Sequence, residues 1–158
     1  MKVVFLDVDG VLNHERCTET IAGYTGVADD LVEKLAKIVH STGSQIVLVS
    51  SWKTLWDSMP PQNPGLHPMA LYLVRKLEKQ QLHIADRTEE KTPAYRGHGI
   101  RAWIRKVRDV ESWVVLDDEI FLDYEECDIM PHLVQTDMEY GLTDADVKKA
   151  IEILNRGN

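Results

Sequence analysis

Met1-Lys-Val-Val-Phe-Leu-Asp-Val-Asp-Gly-Val-Leu-Asn-His14 is the stretch on which the fold turns. Val3 to Leu6 is an unbroken apolar, β-favouring run, the mark of a strand buried on both faces. Asp7 and Asp9 follow it, with Gly10 directly after. Residues i and i+2 of an extended chain point the same way about 7 Å apart, so both carboxylates project together where the strand ends. Carboxylates held that close repel, and they call for a cation or a shared proton. The competing reading is a plain strand-closing turn, which Asp and Gly also make. The rest of the chain decides between them.

Outward from this strand, residues 13 to 28 carry no clear periodicity and form an irregular excursion. Asp29 or Asp30 is placed to cap a helix whose apolar positions Leu31, Leu35, Ile38 and Val39 fall at helical spacing, with Gly43 as its stop. Gln45 to Ser50 is a second buried strand. Trp52 to Gly65 holds Pro60, Pro61 and Pro64 and reads as a loop with one helical turn. A helix from Met69 to Gln80, a third strand over Leu82 to Ala85 and a polar loop from Asp86 to Gly99 come next. Ile100 to Arg108 is a short helix, while Trp113 to Leu116 and Leu133 to Gln135 supply the fourth and fifth strands. Thr143 opens the terminal helix with Asp146 three residues on, in the manner of a capping box.

Strands alternating with helices specify a parallel sheet covered on both faces. The expected fold is α/β: a doubly wound five-stranded parallel sheet of spatial order 3-2-1-4-5, in a single domain over residues 1–158. In that order the carboxyl ends of the first, second and fourth strands border the topological switch point, where ligands bind in such sheets. Asp7, Asp9, Ser50, Asp117 and Asp118 all fall there.

Composition narrows the class. A chain of 158 residues, 44% hydrophobic and 28% charged, is long enough to bury a proper core. No apolar run approaches the roughly 20 residues that span a bilayer, and no leader sequence opens the chain, so a cytoplasmic location is expected. Cys17 and Cys127 form no C-x-x-C pair, and the six histidines show no metal-binding spacing. A net charge of −8 argues against an extensive nucleic-acid-binding surface.

Asp7-Val8-Asp9-Gly10-Val11, following a buried strand, resembles motif I of the haloacid dehalogenase superfamily of phosphohydrolases. The Leu12-Asn13 continuation is similar to the subset associated with nucleic-acid end processing. The resemblance implies that Asp7 attacks phosphorus and that Asp9 acts as general acid and base. Ile46 to Trp52 resembles motif II, with Ser50 as the phosphate-binding hydroxyl and Ser51 in reserve. Val114-Val-Leu-Asp117-Asp118-Glu119 resembles motif IV, which implies that Asp118 joins Asp7 and Asp9 in holding a metal while Asp117 orients a cationic residue. An all-oxygen donor set favours Mg²⁺. Arg96-Gly97-x-x-Ile100-x-x-Trp103 is similar to the R-G-x-x-I-x-x-W stretch of the end-processing subset. Arg96 is therefore preferred for the cationic motif III role, with Lys91 and Arg101 as further candidates.

The short intervals after motifs I and II leave no room for a large cap domain. An uncapped Mg²⁺-dependent phosphatase acting on a phosphorylated substrate is the expectation, with a nucleic-acid 3′ end as one such substrate. A nucleotide or sugar-phosphate phosphatase is the alternative, and a non-catalytic phosphate-binding module is the rival from another class. Asp9 speaks against that module, because binding phosphate needs no acid–base group. A phospho-accepting receiver domain would place its acceptor on a later strand than its acidic pair, the reverse of this order. Trp52 and Trp56 stand beside Ser50, either to cover the core edge or to stack a base.

Overall fold

The computed structural model describes residues 1–56, 67–89 and 91–156. The three prolines of the expected loop after Trp52 lie outside the described residues. A five-stranded parallel sheet forms the centre: β1 (Lys2–Leu6), β4 (Gln45–Leu48), β5 (Ile84–Arg87), β6 (Ser112–Asp117) and β7 (Leu133–Gln135), in the spatial order β5-β4-β1-β6-β7. This is the expected 3-2-1-4-5 arrangement, with the aspartate-bearing strand in the middle. Two further short strands, β2 (Thr20–Ile21) and β3 (Tyr24–Thr25), pair antiparallel as a separate hairpin within the 13–28 excursion.

Alternation along the strands divides the core in two. Val4, Leu6, Ile46, Leu48, Val114 and Leu116 face α1 (Asp29–Thr42), α2 (Pro68–Glu78) and α4 (Asp144–Arg156). Val3, Phe5, Val47 and Val115 face α3 (Arg96–Val107) and the segment holding Tyr124 and Ile129. Both faces are covered, which explains why these strands read as continuous apolar runs.

Backbone pairing runs one residue past the strand ends. Asp7 N–H donates to the Leu116 carbonyl at 2.9 Å, Val49 N–H to Leu6 at 2.9 Å, and Thr136 N–H to Asp117 at 2.9 Å. The last ladder bonds therefore fix the backbone on which Asp7, Ser50 and Asp117 stand.

Three boundaries depart from the sequence expectation. The residue at the N-cap of α1 is Ala28, with no side-chain cap, and Asp29 and Asp30 lie within the first turn, where negative charge meets the positive end of the helix dipole. Strand β5 begins two residues late, at Ile84, and ends in the half-buried polar pair Asp86-Arg87. It is an edge strand, so polar residues cost it little. Helix α3 begins at Arg96 within the expected loop, despite Gly97 and Gly99. Its first-turn amides are met from outside the helix: Gly97 N–H and His98 N–H donate to the Asp123 carboxylate at 3.0 and 2.7 Å. A Cβ at position 97 would stand 3.0 Å from Asp123 Oδ1, so glycine lets that cap approach. The terminal helix does open with a capping box: Asp146 N–H donates to Thr143 Oγ1 at 3.2 Å, and Thr143 N–H donates back to Asp146 Oδ2 at 2.9 Å.

Candidate active site

The carboxyl ends of β1, β4 and β6 deliver four aspartates and two serines to one crevice. Asp7, Asp9, Ser51, Arg96, Asp118, Glu119 and Met138 line a small cavity of about 220 Å³ there. Ser50 sits fully buried beneath and hydrogen-bonds Asp7. The turn after Asp9 is tight: Gly10 has φ +70, and an added Cβ would fall 2.5 Å from Asp118 Cγ. Only glycine lets the first and fourth sheet strands bring their acids this close. Thr136 locks the same turn from β7's side, donating its hydroxyl to the Gly10 carbonyl at 2.7 Å.

Asp7, Asp117 and Asp118 place carboxylate oxygens within 4.8 Å of one another. Among the described residues, Arg96 is the cation that stands among them. Arg96 Nη1 donates to Asp117 Oδ2 at 2.7 Å and lies 3.3 Å from Asp7 Oδ2, with its guanidinium over the Phe121 ring. Burial works against its charge, but Asp7 and Asp117 outweigh that and hold its pKa above the usual arginine range. Asp117 spends its acceptors inside the protein, taking a second bond at Oδ2 from Tyr124 Oη at 2.7 Å and one at Oδ1 from Glu119 N–H at 3.1 Å.

Asp7 and Asp118 are left under-compensated. Burial pushes Asp7 up to about 6, against the pull of Arg96 and Ser50, with Asp117 adding to the rise. Asp118 is likewise raised to about 6 by burial and by the nearby Asp7 charge. An all-carboxylate group with excess negative charge has the donor chemistry of a hard divalent cation. Asp117 is already engaged by Arg96 and Tyr124, so Asp7 and Asp118 are the side chains of that group with acceptors to spare.

Asp9 occupies a different environment. Its carboxylate accepts from Asn13 Nδ2 at 2.9 Å and from Trp52 Nε1 at 3.0 Å, outside the three-carboxylate group. Trp52 thus has a definite job: its buried indole fixes Asp9. That role has no local sequence signal, because 43 residues separate the two. Asn13 is closer to legible, four residues after Asp9 and bonded to Gly10 N–H as well.

The other cationic candidates lie apart. Lys91 is exposed on the loop before α3 and does not line the cavity. Arg101 stands over the Trp113 ring, 5.9 Å from its centroid, and does not line the cavity. Neither meets Asp7 among the described contacts.

A model of the HAD domain in Swiss Army Knife RNA repair proteins matches residues 3–147. No curated protein and no solved structure matches the chain. The chain belongs to this HAD family, which supports a phosphatase of the haloacid dehalogenase type acting on a phosphorylated substrate.

Proposed function

We propose, from the premise of that family membership, that the chain is a Mg²⁺-dependent phosphomonoesterase working through an aspartyl-phosphate on Asp7, with a nucleic-acid 3′ end as its substrate. The observation that carries this is the contrast between the two motif I aspartates. Asp7 is buried beside Arg96 and two other carboxylates, while Asp9 is held apart by Asn13 and Trp52 and still opens onto the same cavity. Two carboxylates in unlike surroundings suit two unlike roles.

In this reading Asp7 and Asp118, together with Asp9, hold the metal. Bound there, Mg²⁺ would offset the carboxylate charge and draw charge from the transferring phosphoryl group. A carboxylate oxygen of Asp7 attacks phosphorus, forming the O–P bond as the ester P–O bond breaks. Asp9 passes its proton to the departing oxygen. It then takes a proton from the water that attacks phosphorus, and this releases inorganic phosphate and restores Asp7. Arg96, at 3.3 Å, keeps Asp7 from losing its charge at neutral pH and is itself positioned by Asp117. Ser51, which lines the cavity, offers its hydroxyl toward the phosphoryl oxygens, while Ser50 beneath it acts through its bond to Asp7, and Lys91 is left to meet substrate outside the cavity.

A small phosphorylated nucleotide is the second reading, favoured by the net charge of −8, which repels a long polyanion. A screen of 3′-phosphorylated oligonucleotides, free nucleotides and sugar phosphates, with Mg²⁺ and with EDTA, tests both. Turnover of oligonucleotide 3′ ends that stops in EDTA is expected. Turnover of sugar phosphates alone would overturn the 3′-end reading, and no turnover of any ester would overturn the enzyme.

A further inference from the structure

A second and much larger cavity, of about 630 Å³, adjoins the acid cluster on the Asp9 side. Asp9 and Ser51 line both cavities, so the two adjoin across these side chains. The walls differ in kind. The small cavity holds Arg96 and the acids, whereas the large one is faced by Trp52, Tyr24, Leu55 and Met69 and by no lysine or arginine among the described residues. Its size falls within the ordinary range for a small-molecule site, roughly 300–1,000 Å³.

We infer that this cavity seats the nucleobase of the nucleoside that leaves, and that Tyr24 and Trp52 select for it. This rests on the phosphatase reading above and deepens it. The proton that Asp9 delivers goes to the leaving oxygen, so the leaving group lies on the side of Asp9 away from the carboxylate cluster. That is where the cavity opens. A space walled by Trp52, Tyr24, Leu55 and Met69, with Asp9 at its inner end and the polar side chains of Ser51, Thr54 and His67 in the lining, suits a planar ring with polar edges. Trp52 is only 5% exposed and is held by its bond to Asp9, so its indole is a fixed wall. Tyr24 is 65% exposed on the β2–β3 hairpin, an aromatic ring set out in water at the cavity's rim.

The hairpin that presents Tyr24 is anchored. Tyr72 Oη donates to Glu19 Oε1 at 2.7 Å and accepts from Val27 N–H at 2.8 Å. Lys76 of α2 bridges Glu19 and Asp29 at 2.6 and 2.9 Å. Both ends of the hairpin are thereby tied to α2, and the rim stands ready before substrate arrives. Preorganised aromatic surface of this kind contributes about 1–3 kcal/mol per stacked base.

The test compares kcat/KM for adenosine 3′-phosphate, for ribose 3-phosphate lacking the base, and for acetyl phosphate, whose leaving group does not reach the cavity. Wild type and Tyr24→Ala are measured side by side, together with binding of the first two ligands by calorimetry. Wild type should prefer the base-bearing ester by roughly 5- to 150-fold, the ratio that stacking of this strength produces. Tyr24→Ala should lose about 5- to 10-fold on that ester alone, leaving the other two unchanged. Equal rates for the two ribose esters in wild type would overturn the inference, as would an equal loss on all three substrates in Tyr24→Ala. If none of the three substrates is cleaved, the phosphatase reading fails on its own. Binding then decides the cavity: tighter binding of the adenosine ester supports it, and equal binding overturns it.

Discussion

Among the described residues, two clusters are built from a buried aspartate and neighbours able to ligate a metal, and they behave in opposite ways. At the sheet's carboxyl edge, Asp7, Asp117 and Asp118 share one arginine, and excess negative charge remains. At the start of α3, Asp123 is more deeply buried than Asp7, yet its oxygens are met by Gly97 N–H, His98 N–H, the His98 ring and the Cys127 thiol. The second carboxylate caps a helix, where backbone amides and the positive end of the dipole meet it. Burial alone therefore does not mark a reactive carboxylate. An uncompensated one does, and only the first cluster calls for a cation.

Removing members of each cluster tests this contrast. Asp7→Asn should reduce turnover to the uncatalysed background while leaving the metal-free protein as stable or more stable, since a poorly compensated buried charge disappears. Phosphatase assay and thermal melting in EDTA check both halves, and substantial residual turnover would remove the nucleophile role. Asp9→Asn should cost on the order of 10²–10⁴-fold with an alkoxide leaving group and clearly less with nitrophenolate, which departs without a proton. Equal losses on the two esters would take the acid role from Asp9.

Asp118→Ala should weaken Mg²⁺ binding by at least about tenfold to a hundredfold, read by calorimetry. Normal binding there, with loss in Asp117→Ala instead, would exchange the parts assigned to the pair. Asp123→Ala should act on stability rather than chemistry. It strands two helix amides, at a cost of about 1–3 kcal/mol, each kcal/mol being worth roughly 2–4 °C in Tm at this chain size. Turnover should fall by less than about tenfold, through Arg96 alone. A large catalytic loss with an unchanged Tm would contradict the capping role.

The smallest effect is the pH dependence of the metal-free protein. Asp7 and Asp118 rise from 3.8 to about 6 on folding, so the native state binds more protons than the unfolded chain. Their contribution to stability is complete below about pH 4 and is lost as pH rises through about 6, on the order of 3 kcal/mol for the buried Asp7. Denaturant melts in EDTA across that window should show stability falling with pH, and Mg²⁺ should oppose the fall. The Asp7→Asn protein should show a flatter profile. An unchanged slope would place the uncompensated charge elsewhere.

Much of this was legible in the residues alone. Val3 to Leu6 reads as a doubly covered strand, and strand runs alternating with helical periods over most of the chain specify the parallel sheet. A period of two then sets Asp7 and Asp9 at one strand end, and the apolar run Trp113–Leu116 sets Asp117 and Asp118 at another. These are local facts, carried by repeat distances of a few residues. What only the tertiary structure decided is long-range. Helix α3 starts at Arg96 because Asp123, 26 residues away from Gly97, caps it, and two glycines had hidden that start. Asp9 differs from Asp7 because Trp52 reaches it across 43 residues, and Lys91 stays out of the cavity although it stands only five positions before Arg96 in the chain. Hydrogen bonds and charge compensation depend on which groups meet in space, and no period in the chain encodes that.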